Sequence, residues 1–229
     1  MRITGKKHIF FDLDHTLWDF EKNSALAFET VFKEQHIPVS LPAFLEHFVP
    51  ANMRYWELFR EDKITQAELR YNRIKEPFDA LGYIATDEQI AQISDAYIIQ
   101  LPLNAHLFEG TLEILDYLKQ KYTLHIITNG FNKVQAGKIN NSGLAGYFTT
   151  VTNCDNAGCK KPNPAIFEYA LKAAGAGKQS SIMIGDCIEA DVKGALDCGI
   201  DAIYFNEHKK ETGPFIKQVN NLLELKNFL

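Results

Sequence analysis

The apolar run His8-Ile9-Phe10-Phe11 ends in two aspartates, Asp12 and Asp14, with Thr16, Trp18 and Phe20 just beyond. Three other places carry comparable groups. Thr128, Asn129 and Gly130 follow "LHII", while Gly185 and Asp186 follow "SIMI", with Asp191 one helical turn further on. Lys161 precedes Pro162-Asn163-Pro164, which reads as a helix start with Asn163 as N-cap and Pro164 at the first helical position. Carboxylates gathered at one edge cannot simply coexist, since two like charges ~4 Å apart at an effective dielectric of ~20 repel by about 4 kcal/mol. Four ionised carboxylates against Lys161 leave a local charge of −3, which calls for a hard divalent cation with oxygen ligands. Mg²⁺ is the economical choice, and a dianionic phosphate substrate sharpens the need.

If the chain loops after Leu13, Asp12 and Asp14 can face one pocket in different roles. Asp12 is then a carboxylate nucleophile toward phosphorus, giving an aspartyl-phosphate. Asp14 donates a proton to the leaving group and afterwards takes one from the attacking water. Thr128, Asn129 and Lys161 hold the phosphoryl oxygens by hydrogen bonds and charge, the effects that dominate phosphoryl transfer. Taken singly, an Asp or Thr at a strand end is ordinarily a turn or cap residue, and an acidic residue early in a helix, such as Asp191, also complements the macrodipole. The chemical reading rests on the four clusters jointly. Trp18 and Phe20 are candidates for stacking on a substrate base, against the ordinary role of aromatics at a domain junction, which is packing. His15 reads as a hydrogen-bonding or shape element. Arg54, Trp56, Phe59, Arg70 and Arg73 read as core or solvated-face residues.

The elements that must position these groups follow from the alternation of short β-rich runs with amphipathic stretches. From "TLEILDYLKQK" onward the order is helix, strand ("YTLHIIT"), helix ("FNKVQAGKINNSG"), strand ("TTVTN"), helix ("NPAIFEYALKAAG"), strand ("SSIMIGD"), helix ("IEADVKGALDCG") and strand ("IDAIYF"). This predicts an α/β fold, a doubly wound parallel sheet with helices on both faces, whose ligands bind at the carboxyl ends of the strands. From about Glu21 to Gln100 the pattern breaks into four consecutive helical stretches separated by Pro, Gly or Ser/Thr signals, a helical unit inserted after the opening strand.

Asp12-Leu13-Asp14-His15-Thr16, Thr128-Asn129-Gly130, Lys161-Pro162, and Gly185-Asp186 followed by Asp191 resemble, in order and spacing, the four motifs of the haloacid dehalogenase-like hydrolase superfamily. The resemblance runs over nearly the whole chain, since "NSGLAGYF", "KKPNPAIFEYAL" and "IGDCIEADVKGALDCGI" are also similar to the family's connecting segments. It implies a Rossmann-like core, residues 1–17 and 108–229, and a helical cap, residues 18–107; the two crossing points of the insertion place the hinges of cap closure near Trp18 to Phe20 and near Leu107 to Gly110. It further implies Mg²⁺ held by the Asp12 carboxylate, the Asp14 backbone carbonyl and the Asp186 carboxylate, with Thr16 and Asp191 in support. Dehalogenases and phosphonatases of the superfamily lack an aspartate two residues after the nucleophile, so Asp14 points to phosphate chemistry. Within the superfamily "DLDHTLWDF", "LFEGTLEIL" and "IYFNEHKKE" resemble the branch of cytosolic 5′-nucleotidases acting on pyrimidine or noncanonical nucleoside monophosphates. Cys187 departs from the Ser or Asn that relatives often carry after the last-motif aspartate.

The expectation is therefore a Mg²⁺-dependent phosphomonoesterase whose partner is a small phosphorylated metabolite, a nucleoside monophosphate above others. One rival is a phosphosugar phosphatase or mutase of the same fold; no cap Lys or His arranged for sugar acid/base work stands out. Another is a noncatalytic binding or regulatory protein, against which the intact motifs argue. With 229 residues, 46% of them hydrophobic, the chain can bury a sizeable core. Its net charge of −5 gives no basic surface of the kind that a nucleic-acid polymer needs. No apolar run approaches the ~18 residues of a membrane span, no cleavable leader is visible, and Cys154, Cys159, Cys187 and Cys198 lack paired spacing. A cytoplasmic protein with reduced thiols is expected.

Overall fold

The strands at the centre of the sheet are apolar along almost their whole length, as strands must be when both faces are covered. Ile9, Phe10, Phe11, Leu124, Ile126, Ile127, Ile182, Met183 and Ile184 are all at most 1% exposed. The computed structural model describes residues 2–213 and 216–229. In chain order it contains β1 (His8–Phe11), α1 (Phe20–Glu34), α2 (Leu41–Arg60), α3 (Gln66–Ala80), α4 (Asp87–Gln100), α5 (Thr111–Leu118), β2 (Thr123–Ile127), α6 (Asn132–Asn141), β3 (Phe148–Thr152), α7 (Cys154–Ala157), α8 (Pro164–Ala174), β4 (Ser181–Gly185), α9 (Gly194–Asp197), β5 (Asp201–Phe205) and β6 (Gln218–Val219). A π-helical turn at Ile188–Lys193 leads into α9, and 3₁₀ turns occupy Leu101–Leu103 and Leu222–Asn227. The segment "IEADVKGALDCG" is thus not one regular α-helix.

The six strands pair in parallel in the order β3-β2-β1-β4-β5-β6. The chain steps outward from β1 to β2 and β3, then returns to the other side of β1 with β4. That reversal makes the carboxyl ends of β1 and β4 the switch point where a doubly wound sheet opens a crevice. The architecture is the Rossmann-like α/β core. His125 of β2, fully buried, meets Thr150 Oγ1 through Nδ1 at 2.9 Å and His8 Nδ1 through Nε2 at 3.1 Å.

The chain divides into two units, Met1–Phe20 with His106–Leu229, and Glu21–Ala105. The crossings lie two to three residues inside the 17/18 and 107/108 boundaries read from the sequence, for a local reason. Trp18 bridges both Asp14 and Leu107, Asp19 N–H donates to the His106 carbonyl at 3.1 Å, and Phe108 N–H donates to the Leu17 carbonyl at 3.0 Å. These bonds tie the outgoing and returning chain together within the sheet unit.

The second unit is built from α1–α4 around an aromatic core in which Phe28 stacks on Tyr97 at 4.2 Å and meets Phe48 at 4.7 Å, and Phe44 meets Phe78 at 4.8 Å. Reciprocal capping boxes, Thr65 with Glu68 and Thr86 with Gln89, start α3 and α4. Arg54 pairs with Glu76 and Arg70 with Asp95. Arg73 is instead buried over the Tyr97 ring, donating to Asn52 Oδ1 at 3.2 Å. Among the described residues, no helix is long and apolar enough to cross a membrane.

Candidate active site

Asp12 follows directly on β1, and its N–H still donates to the Ile184 carbonyl at 2.9 Å, extending the ladder by one bond. The chain then turns tightly around the Leu13 carbonyl, which accepts from the N–H groups of Leu17 and Trp18 at 3.0 and 2.9 Å. His15 takes a left-handed conformation, φ 59°, to make this turn. The turn buries Thr16, whose hydroxyl donates to Asp186 Oδ1 at 3.1 Å, joining the loop after β1 to the end of β4.

Carboxylate oxygens of Asp12, Asp186 and Asp191 lie within 4.8 Å of one another. Lys161, delivered by the loop before α8, holds this group together: its ammonium donates to Asp12 Oδ1 at 2.5 Å, Asp191 Oδ1 at 2.6 Å and the Ile127 carbonyl at 2.8 Å. Asp191 Oδ2 accepts from the Cys187 N–H at 3.0 Å, so both of its oxygens are engaged. The π-helical turn after β4 and Gly185 give Asp191 its place. A Cβ on Gly185 would lie 2.7 Å from that of Asp191, and closer still to its carboxyl group. Asp12 Oδ2 has no hydrogen-bond partner among the described residues, which leaves one oxygen of that carboxylate uncommitted.

Burial dominates the electrostatics of this group. It pushes the Asp12 carboxyl well above the usual carboxylate range; Asp191 and Asp186 add to the effect and Lys161 opposes it. It also pushes Asp186 up to about 7, with Asp191 contributing and Lys161 and Thr16 opposing. For Lys161, burial works against the ammonium, but Asp12 and Asp191 outweigh it and hold the amine protonated. Three carboxylates around one buried ammonium form an all-oxygen donor set with surplus negative charge, which fits a hard divalent cation such as Mg²⁺.

Asp14 lies apart from this cluster. Its Oδ1 accepts from Lys138 Nζ at 2.6 Å and its Oδ2 from Gln135 Nε2 at 2.8 Å, both donors projecting from α6. Gln135 Nε2 also donates to Thr128 Oγ1 at 2.7 Å, where the Gly130 N–H donates too at 3.1 Å, leaving the threonine its own O–H. The Asn129 carboxamide is committed elsewhere: Oδ1 accepts from the Lys161 N–H at 2.7 Å and Nδ2 donates to the Lys161 carbonyl at 3.0 Å. Asn129 therefore grips the Lys161 backbone. Trp18 is fully buried, with its ring 4.5 Å from the Lys138 ammonium, and Phe20 presents its ring at 5.4 Å.

Of the residues read from the sequence, the structure gathers Asp12, Thr16, Lys161, Asp186 and Asp191 into one cluster and Asp14 and Thr128 into an adjoining one. Gln135 and Lys138 were not among them. Their signal was a pair of polar side chains spaced i, i+3 on one helix, a spacing that serves a solvated face equally well.

Comparison with known proteins gives a consistent result. The sequence profile of the haloacid dehalogenase-like hydrolase family matches residues 6–199. The pyrimidine 5′-nucleotidase PynA of Streptococcus pneumoniae is 32% identical over 207 residues, 90% of this chain and 86% of that one. The pyrimidine 5′-nucleotidase YjjG of Escherichia coli is 27% identical over 225 residues, 96% of each chain. Among solved structures, the magnesium-bound HAD-hydrolase YfnB of Bacillus subtilis superposes with a TM-score of 0.88 at 27% identity, covering 99% of this chain and 98% of that one. With its four motifs meeting at the switch point of a Rossmann-like sheet and its profile match spanning most of its length, this chain belongs to the haloacid dehalogenase-like hydrolase family.

Proposed function

We propose that this hydrolase is a Mg²⁺-dependent phosphomonoesterase that works through an aspartyl-phosphate on Asp12, with nucleoside monophosphates as its substrates. The observation that carries the reading is the split between its two loop aspartates. Asp12 is held by Lys161 through one oxygen and keeps the other free, whereas Asp14 is held a short way off by a different cation. That division suits a nucleophile and an acid/base partner. It does not suit two equivalent metal ligands.

In this mechanism Asp12 Oδ2 attacks phosphorus, and the bond to the ester oxygen breaks as Asp14, entering the step as the carboxylic acid, delivers its proton to the departing alcohol and is left as the carboxylate. Asp14 then takes a proton from the water that attacks the aspartyl-phosphate, releasing phosphate and restoring Asp12. Lys161 orients Asp12 and offers charge to the phosphoryl oxygens, and the Thr128 hydroxyl, with its own O–H left over, is a further donor to them. Asp191, with both oxygens engaged, positions Lys161. Asp12 and Asp186, with the Asp14 carbonyl that the family resemblance implies, would hold Mg²⁺, which when bound would supply positive charge to the phosphoryl oxygens. The inserted unit Glu21–Ala105 serves as the cap. The nucleotide preference is supported by the similarity to PynA and YjjG, both pyrimidine 5′-nucleotidases.

Two measurements test this. Asp12→Asn should abolish turnover of p-nitrophenyl phosphate with Mg²⁺ while leaving the circular dichroism spectrum unchanged; substantial residual turnover would sink the nucleophile assignment. A phosphate-release screen across nucleoside monophosphates, sugar phosphates and small phosphorylated acids should favour the first class. Preference for another class would remove the nucleotidase reading while leaving the phosphatase.

A further inference from the structure

Lys138 and Gln135 are polar, lie on one face of α6, and are 2% and 1% exposed. Burying an ammonium and a carboxamide is costly unless both find partners. Lys138 finds its partner in Asp14 Oδ1, and the Gln135 amide nitrogen donates to Asp14 Oδ2 and to Thr128 Oγ1, while Gln135 Oε1 is buried without a hydrogen-bond partner among the described residues. Each oxygen of Asp14 is thus gripped by a separate donor from the same rigid helix, which fixes both the position and the plane of the carboxylate. The site is built around this grip. Gly130 leaves the space that Gln135 fills, since a Cβ there would lie 2.8 Å from Gln135 Cγ. The rings of Trp18 and Phe20 flank the Lys138 ammonium, giving it cation–π support away from water.

We propose that Lys138, assisted by Gln135, is a positioning residue for the reaction, holding Asp14 in the orientation from which it serves the leaving-group oxygen. The proposal rests on the reading of Asp14 as the acid/base partner and adds what that reading lacks, the device that aims it. Asp14 is two residues from Asp12, and a carboxylate there with no cation of its own would be drawn toward Lys161 and the divalent ion as another ligand. Lys138 draws it the other way. A group that must meet a reacting atom within a fraction of an ångström gains most of its effect from such orientation. Trp18 and Phe20 on this account belong to the Lys138 setting and not to substrate stacking.

The test uses the full chain with Mg²⁺ and a series of phosphomonoesters graded from p-nitrophenyl phosphate, whose leaving group needs little protonation, to a nucleoside monophosphate, whose alcohol needs it. Lys138→Met should lower kcat on the nucleoside ester on the order of 10²-fold, the lower end of what acid–base catalysis contributes, with KM little changed and a much smaller loss on p-nitrophenyl phosphate. Combined with Asp14→Asn it should add nothing to the loss from that change alone, because there is no carboxylate left to aim. Losses equal across the series, or losses that multiply in the double variant, would overturn the proposal. Gln135→Leu keeps the cation and removes one grip, so it should show the same graded pattern at smaller amplitude; a uniform loss would count against the proposal even if Lys138→Met failed to fold. If Asp14→Asn alone showed no dependence on leaving group, the acid/base reading itself would fall, an outcome distinct from a failure confined to Lys138.

Discussion

Removing the cation at the centre of the carboxylate cluster should show how far the fold depends on it. In Lys161→Met the ammonium that meets Asp12 at 2.5 Å and Asp191 at 2.6 Å disappears, with its bond to the Ile127 carbonyl. Its side chain is 3% exposed, so water does not replace it. Deleting one partner of a buried ion pair costs about 3–5 kcal/mol because a charge is left without compensation. Lys161 serves two carboxylates, which places the expected loss in the upper half of that range. For a chain of this size each kcal/mol lowers the unfolding midpoint by roughly 2–4 °C, so a drop of about 8–20 °C is expected by calorimetry in chelator-containing buffer. Since Asp12 and Asp191 raise the folded-state pKa of the amine above its ordinary value, its contribution is present throughout the neutral range and is lost only as pH rises through that raised value. The double change Lys161→Met with Asp191→Asn removes one stranded charge along with the cation and should recover part of the loss. A drop under about 3 °C, or a double variant no more stable than the single one, would refute the view that Lys161 neutralises the cluster.

Two further outcomes follow from other parts of the sheet unit. Burial pushes His125 down to about 4, below its ordinary 6.5, so the unfolded chain takes up a proton first: stability from this residue is full above about pH 6.5 and is lost as pH falls toward 4, by about 2 kcal/mol at pH 5. In urea titrations His125→Phe should lack that part of the wild-type decline, and parallel profiles for the two proteins would argue against it. Gly185→Ala would drive a methyl group into Asp191, 2.7 Å from its Cβ, and overpacking of this kind costs about 1–3 kcal/mol. Phosphate release should fall with stability, since Asp191 carries Lys161; wild-type turnover in this variant would mean that Asp191 need not stay in place.

The sheet was legible in the sequence because its strands are apolar on both faces and its helices repeat at a fixed pitch between them. The inserted unit was legible for the opposite reason: four helical stretches in succession with no strand between them. What periodicity could not convey was a helix whose polar face points inward. Gln135 and Lys138 meet Asp14 from 121 and 124 residues away, and nothing in "NKVQAGKINN" distinguishes a buried lysine from a solvated one. Arg73, read as a core or solvated-face residue, sits inside an aromatic core, a choice that its helical spacing alone left open. The π-helical turn was equally unreadable, because it arises from the fit of Asp191 against Gly185 and Cys187, a tertiary demand that overrides regular helix formation.

Lys138 also changes the charge balance on which the need for a metal was first argued. Four carboxylates, Asp12, Asp14, Asp186 and Asp191, face two buried ammonium groups, so two negative charges remain where the sequence alone left three. A divalent cation matches that remainder without excess. The distribution matters as much as the sum: Lys161 takes Asp12 and Asp191, Lys138 takes Asp14, and Asp186 accepts from the Thr16 hydroxyl, the bond that joins the loop after β1 to the end of β4. Asp186 is thus the carboxylate with the least cationic compensation, and burial together with Asp191 pushes it up to about 7. A divalent cation at the strand ends would gain most by meeting Asp186 and the uncommitted oxygen of Asp12, so the two lysines favour a metal there over one on the Asp14 carboxylate.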